Sequence, residues 1–194
     1  MNSDSKIKSI VVFASGSGSN AVKLCQSVQQ RSDIKVNAIF CNNPQAGVIQ
    51  KMNDFNIPVI IFNREEFKNQ EEFLSKINSY KPDLIALLGF LWKVPAYLVN
   101  AFPKKIVNLH PALLPKFGGK GMYGHFVHEA VKAANEKETG ISIHYVNEHF
   151  DEGEIIAQFK VDLSEHDNSE TIAEKIHVLE QKHVSDTIIK LLID

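Results

Sequence analysis

Asn108 and His110 stand two residues apart in the apolar run IVNLH, just ahead of Pro111. Side chains alternate along a strand, so the amide and the imidazole project from one face with Leu109 opposite. An imidazole changes charge near neutral pH, and an amide can donate to an oxygen that turns anionic during acyl transfer. Pro111 forbids a further ladder bond and puts His110 at the carboxyl end of its strand, where open α/β sheets keep their reactive crevice. The plainer alternative is a core Asn-His pair bonded to backbone. Asp151 weighs against it: it sits in the polar turn NEHFDEGE (147–154), two residues before Gly153, where an antiparallel partner strand returns it to the sheet's edge. A carboxylate there is expected to raise the His110 pKa and to orient the ring.

A second group is Ser15-Gly16-Ser17-Gly18-Ser19-Asn20-Ala21, which follows an apolar strand and opens a helical pattern. Glycines let backbone amides approach an anion, and helix N-termini favour negative charge. The spacing imitates a dinucleotide fingerprint, but those sites carry an acid near the end of the second strand. Here that strand ends Phe40-Cys41-Asn42-Asn43-Pro44, which disfavours NAD and favours the lone phosphate of a smaller substrate. A tight strand-to-helix turn with Ser19 or Asn20 as N-cap is the competing reading.

These residues need a scaffold, and 194 residues at 44% apolar content suffice for one sizeable core, taken as a single domain with halves 1–110 and 111–194. The expected strands are Ser9–Ala14, Val36–Cys41, Pro58–Phe62, Leu84–Gly89 and Ile106–His110, and their unbroken hydrophobicity implies cover on both faces. Amphipathic stretches alternate with them: Ala21–Gln30, Gly47–Phe55, Glu65–Tyr80 and Pro95–Ala101. This rhythm predicts a Rossmann-like, doubly wound, mostly parallel α/β sheet. After His110 come a Gly-rich loop (Pro115–Gly124), a helix facing inward through Val127, Ala130, Val131 and Ala134, antiparallel strands Ile141–Val146 and Glu154–Val161, and a last helix capped within Asp167–Glu170.

A net charge of −2, with 21 basic and 23 acidic residues dispersed, supplies no field for nucleic acid or anionic membrane, so a small-molecule partner is expected. The N-terminus lacks a signal-peptide pattern, no run approaches the ~20 apolar residues that span a bilayer, and Cys25 and Cys41 have no metal or redox spacing, which together suit the cytoplasm. His125 and His128 have helical spacing without a third ligand nearby and are read as surface or loop residues; no metal is expected. His166, His177 and His183 are expected to be exposed, and Glu65, Glu66, Glu71 and Glu72 to form a wet helix face.

SGSGSN (15–20), GFLWKVP (89–95), NLHPALLPKF (108–117), GISIHYV (140–146) and FDEGEIIAQ (150–158) occur in an order and at intervals that resemble the folate-dependent formyltransferases over nearly the whole chain. The Asn-x-His-Pro-x-x-Leu-Pro block is shared across that family, and the SGSGSN loop resembles the branch that formylates glycinamide ribonucleotide. The resemblance implies direct attack of the substrate amine on the formyl carbon of 10-formyltetrahydrofolate, with Asn108 and protonated His110 steadying the oxyanion and Asp151 holding the imidazole. It implies a phosphate on Gly18, Ser19 and Asn20 beside Ser17, ribose hydroxyls on Glu180, and a pterin against Phe90, Leu91, Trp92, Lys93 and Val94. Ser142 and His144 would support the site.

The loop Phe117–Gly124 departs from the family in lacking a proline and an early histidine, and Gln70 stands where a phosphate-reaching arginine is often found, with Arg64 ahead of it as a candidate substitute. A monomer or homodimer is expected. Competing activities are a formyltetrahydrofolate hydrolase, formyl transfer to another amine, and a non-catalytic mononucleotide-binding module.

Overall fold

In the computed structural model, which describes residues 6–193, the chain divides into two compact units: residues up to Phe90 joined by those from Ile188, and Leu91–Thr187. The polar start, residues 1–5, where a signal peptide would begin, lies outside the described residues.

The first unit alternates β1 (Lys8–Ala14), α1 (Ser19–Val28), β2 (Ile34–Cys41), α2 (Gly47–Lys51), a 3-10 turn (Met52–Phe55), β3 (Val59–Ile61), α3 (Arg64–Lys68), α4 (Gln70–Asn78) and β4 (Leu84–Leu87). Its strands lie in the order β3-β2-β1-β4, all parallel. Ile10 to Phe13 are fully buried, as expected of a strand covered on both faces. Phe13 is the hub of an aromatic core, stacked on Phe40 at 5.1 Å and edge-on to Phe90 at 5.2 Å. Each such pair adds about 0.5–1.5 kcal/mol to what burial supplies. The stretch predicted as one helix from Glu65 to Tyr80 is two. Asn69 takes an extended conformation, ends α3 and caps α4 by accepting from the Glu72 amide, because its short side chain competes with the helix for backbone donors.

The second unit contains α5 (Ala96–Ala101), β5 (Ile106–His110), α6 (His125–Ala133), β6 (Glu138–Tyr145), β7 (Ile155–Asp162) and most of α7 (Ser169–Ile193). β5-β6-β7 is antiparallel, and its register matters for chemistry: Asn108 pairs with His144, and His110 with Ser142. The seven strands make a mixed α/β sheet, mostly parallel, with an antiparallel C-terminal part.

Candidate active site

Direct cross-strand pairing places the Asn108 and His144 side chains on one face and brings them within contact distance. Asn108 Nδ2 lies 3.1 Å from His144 Nε2 and donates to Asp151 Oδ1 at 3.3 Å. Asp151 Oδ2 accepts from the Gly119 amide at 2.9 Å and stands 3.6 Å from His110 Nδ1, while His110 Nε2 meets the Phe117 carbonyl at 2.7 Å. Residues from β5, β6, the Gly-rich loop and the β6–β7 turn thus meet around one carboxylate.

The turn is shaped to deliver that carboxylate. Asp151 adopts a φ of +56°, a left-handed conformation that non-glycine residues take at a cost and that recurs where function fixes the backbone. Two residues on, a Cβ on Gly153 would run into the Tyr145 carbonyl, so only glycine lets the turn close on β6. Ser142 secures the segment after His110. Its fully buried hydroxyl donates to the Ala112 carbonyl at 2.7 Å and accepts from the Leu114 amide at 2.9 Å and from Gln158 Nε2 at 2.8 Å.

The Asp151 charge pulls the His110 pKa upward, as expected, but a larger effect opposes it. Burial pushes the His110 imidazole below its ordinary 6.5 and outweighs the Asp151 charge and the Phe117 carbonyl, which pull upward. His110 is only 3% exposed, and water is the solvent an imidazolium would need. Asp151 behaves oppositely: burial raises its carboxyl, but His144, the His110 charge and the Gly119 amide together hold it below the usual carboxylate range. Near neutrality the resting pair is therefore an uncharged imidazole beside an ionised carboxylate. Such a ring can take a proton, and the carboxylate stabilises the charge that results.

In the first unit, the loop after β1 puts Gly18, at φ +74°, as the residue that opens α1; no side chain caps the helix, so neither Ser19 nor Asn20 is the N-cap. A Cβ on Gly18 would fall 2.5 Å from Val48 Cβ, so the loop packs on α2 only with glycine there. Ser17 is exposed, and Ser19 and Asn20 are half-buried. An uncapped N-terminus of a ten-residue helix suits an anion. Arg64 and Gln70 are exposed first residues of α3 and α4.

Of the stretch predicted to hold a pterin, the Phe90 ring belongs to the aromatic core of the first unit, so only its backbone is left for a ligand. Leu91 and Lys93 are exposed, Trp92 is half-buried and Val94 is buried. Lys93 Nζ lies over the Phe150 ring at 5.5 Å, next to Asp151 in sequence. Glu180 on α7 keeps 16% of its side chain exposed, with His177 Nδ1 at 3.7 Å.

Other histidines depart from their predicted places. His128 is buried, not superficial, because it shares the inward face of α6 with Val127 and Val131. His183 is half-buried and stacks on Phe159 at 3.8 Å. The helical spacing of His128 to Val131 could have flagged the first; the second has no local sequence signal. Gln158 and the Phe117 and Gly119 backbone were also missed; the alternation of β7 opposite Ser142 could have flagged Gln158. Among the described residues, no group of three or more His, Cys, Asp or Glu could hold a metal ion, and no helix is long and apolar enough to cross a membrane.

Comparison with known proteins shows which family the chain resembles along its length. The formyl transferase family matches residues 8–188. Over 191 residues the chain is 36% identical to the phosphoribosylglycinamide formyltransferase of Bacillus subtilis, covering 96% of this chain and 95% of that one. The crystal structure of phosphoribosylglycinamide formyltransferase from Bacillus halodurans superposes with a TM-score of 0.87 at 34% identity, covering 96% of both chains. The corresponding crystal structure from Anaplasma phagocytophilum gives 0.89 at 28% identity over 97% of this chain and 88% of that one. With matches of this extent, on a chain whose Asn108, His110 and Asp151 meet, the chain belongs to the formyl transferase family.

Proposed function

We propose that the chain transfers the formyl group of 10-formyltetrahydrofolate to the amine of 5'-phosphoribosylglycinamide. The observation that carries this reading is the Asp151 carboxylate, 3.3 Å from the Asn108 amide and 3.6 Å from His110 Nδ1. The amine nitrogen attacks the formyl carbon, and the carbonyl oxygen becomes an oxyanion that accepts from Asn108 Nδ2. Uncharged His110 receives the amine's proton, and Asp151 stabilises the imidazolium. The bond from the formyl carbon to N10 of the folate then breaks, and the proton passes to N10, directly or through water.

In this reading the uncapped α1 with Ser17, Gly18, Ser19 and Asn20 holds the phosphate, and Arg64 or Gln70 is available to reach it. Glu180 holds the ribose hydroxyls. The segment Phe90, Leu91, Trp92, Lys93 and Val94 receives the pterin, largely through backbone groups, and Ser142 and His144 keep the reacting residues in place. Support for the amine substrate comes from the Bacillus subtilis relative, whose name carries it at 36% identity. Residues 1–194 act as one formyltransferase domain in the cytoplasm, as a monomer or homodimer.

The test is release of tetrahydrofolate from 10-formyltetrahydrofolate, followed by absorbance with and without the amine. Release that depends on phosphoribosylglycinamide is expected. Equal release without it would make the protein a hydrolase and overturn the reading.

A further inference from the structure

We infer that His144 is a positioning residue whose imidazole, with a hydrogen on Nδ1 and a lone pair on Nε2, sets the direction in which the Asn108 amide faces. The inference rests on the proposed formyl transfer and assigns a residue within that site.

The chain of contacts favours one arrangement of protons. His144 Nδ1 lies 2.9 Å from the Tyr145 carbonyl, which can only accept, so Nδ1 carries a hydrogen. Asp151 Oδ1, 3.3 Å from the Asn108 amide, also can only accept, so Asn108 turns its NH2 and not its oxygen toward it. The same NH2 lies 3.1 Å from His144 Nε2, which must then offer a lone pair. A proton on Nε2 would oppose an N–H donor to the amide. Flipping Asn108 to relieve that would aim its oxygen at the Asp151 carboxylate. Asp151 alone cannot hold the amide, because 3.3 Å is long for such a bond.

The two Asn108 protons therefore have different tasks. The one on His144 is the anchor; the one on Asp151 is the weaker contact, which the oxyanion takes over. His144 is 2% exposed and paired directly with Asn108 across β5 and β6, so its imidazole is held where it can fix the amide's orientation. A neighbour that accepts would preserve this device, and one that cannot accept would abolish it.

Nitrogen-15 NMR of the histidine-labelled whole protein near pH 7.5, without substrates, reads the tautomer. The expected result is a protonated Nδ1 and an unprotonated Nε2 on His144; a proton on Nε2 overturns the inference. Kinetics provide the second arm. His144→Leu should lower kcat about 10²-fold, the scale of losing one oxyanion donor, with the KM of each substrate little changed. His144→Gln, whose amide oxygen can accept, should recover most of that loss. In an Asn108→Ala background the leucine substitution should cost under about 3-fold, since coupled residues do not add. An equal cost in both backgrounds would refute the role. If the leucine variant does not fold, the spectrum of the unmodified protein decides. Failure of the unmodified protein to transfer formyl would refute the proposed function and leave the tautomer result standing.

Discussion

The loop that opens α1 and the cluster around Asp151 solve their tasks by opposite means. The loop is contiguous, presents backbone groups at the start of α1, and depends on one glycine packed against Val48. The cluster is assembled from β5, β6, the Gly-rich loop and the β6–β7 turn, and works through side chains whose charge depends on burial. A contiguous backbone site should govern binding and fail locally. A convergent side-chain site should govern turnover and fail as a unit.

The sharpest way to break this contrast is at the imidazole. His110→Ala should lower kcat by about 10²–10⁴-fold with substrate dissociation constants nearly unchanged, the range for losing a positioned acid or base. Steady-state kinetics and calorimetric titration check it. Gly153→Ala should come next: its Cβ meets the Tyr145 carbonyl, so the turn must open and carry Asp151 away. A stability loss of roughly 1–3 kcal/mol, the usual scale for displaced tight backbone, should appear in denaturant unfolding together with reduced kcat.

Gly18→Ala puts a side chain into a left-handed position 2.5 Å from Val48 Cβ. It should raise the KM for the phosphorylated amine about 10-fold, which corresponds to about 1.4 kcal/mol of binding, while changing kcat little. An equal fall in kcat would erase the distinction between the two regions.

The smallest effect concerns pH. His110 has a folded pKa below 6.5, so the native state binds fewer protons than the unfolded chain. Its contribution is fully present above about pH 6.5, the unfolded value, and is lost as pH falls toward the folded one. Asp151 titrates lower: held below 3.8, it stabilises the fold above about pH 3.9 and loses that contribution on further acidification. Thermal melts from pH 8 to pH 5 should decline less for His110→Asn than for the unmodified protein. Parallel declines would contradict the assigned direction.

How much of this was legible in sequence follows the same division. The strands of the first unit and the Asn-x-His strand announce themselves through uninterrupted apolar runs and period-two spacing, both local properties. The glycine loop was legible as a strand-to-helix connection, but the Ser19 or Asn20 cap of its plainer reading is not formed, because a left-handed Gly18 opens the helix and leaves no compositional trace beyond the glycine itself. The break at Asn69 was hidden in a pattern that stays amphipathic on both sides of it. The direction of the His110 shift was not legible at all: which of burial and Asp151 prevails depends on packing from several segments. The stacking of His183 on Phe159 is set by tertiary packing in the same way.

Whether Asn108, His110 and Asp151 act as one unit is tested most directly by a double-mutant cycle on formyl transfer. Asp151→Asn should cost about 10²–10³-fold in kcat in the unmodified protein and almost nothing once His110 is alanine. Costs that simply multiply would mean that carboxylate and imidazole work independently, and the convergent site described here would be wrong.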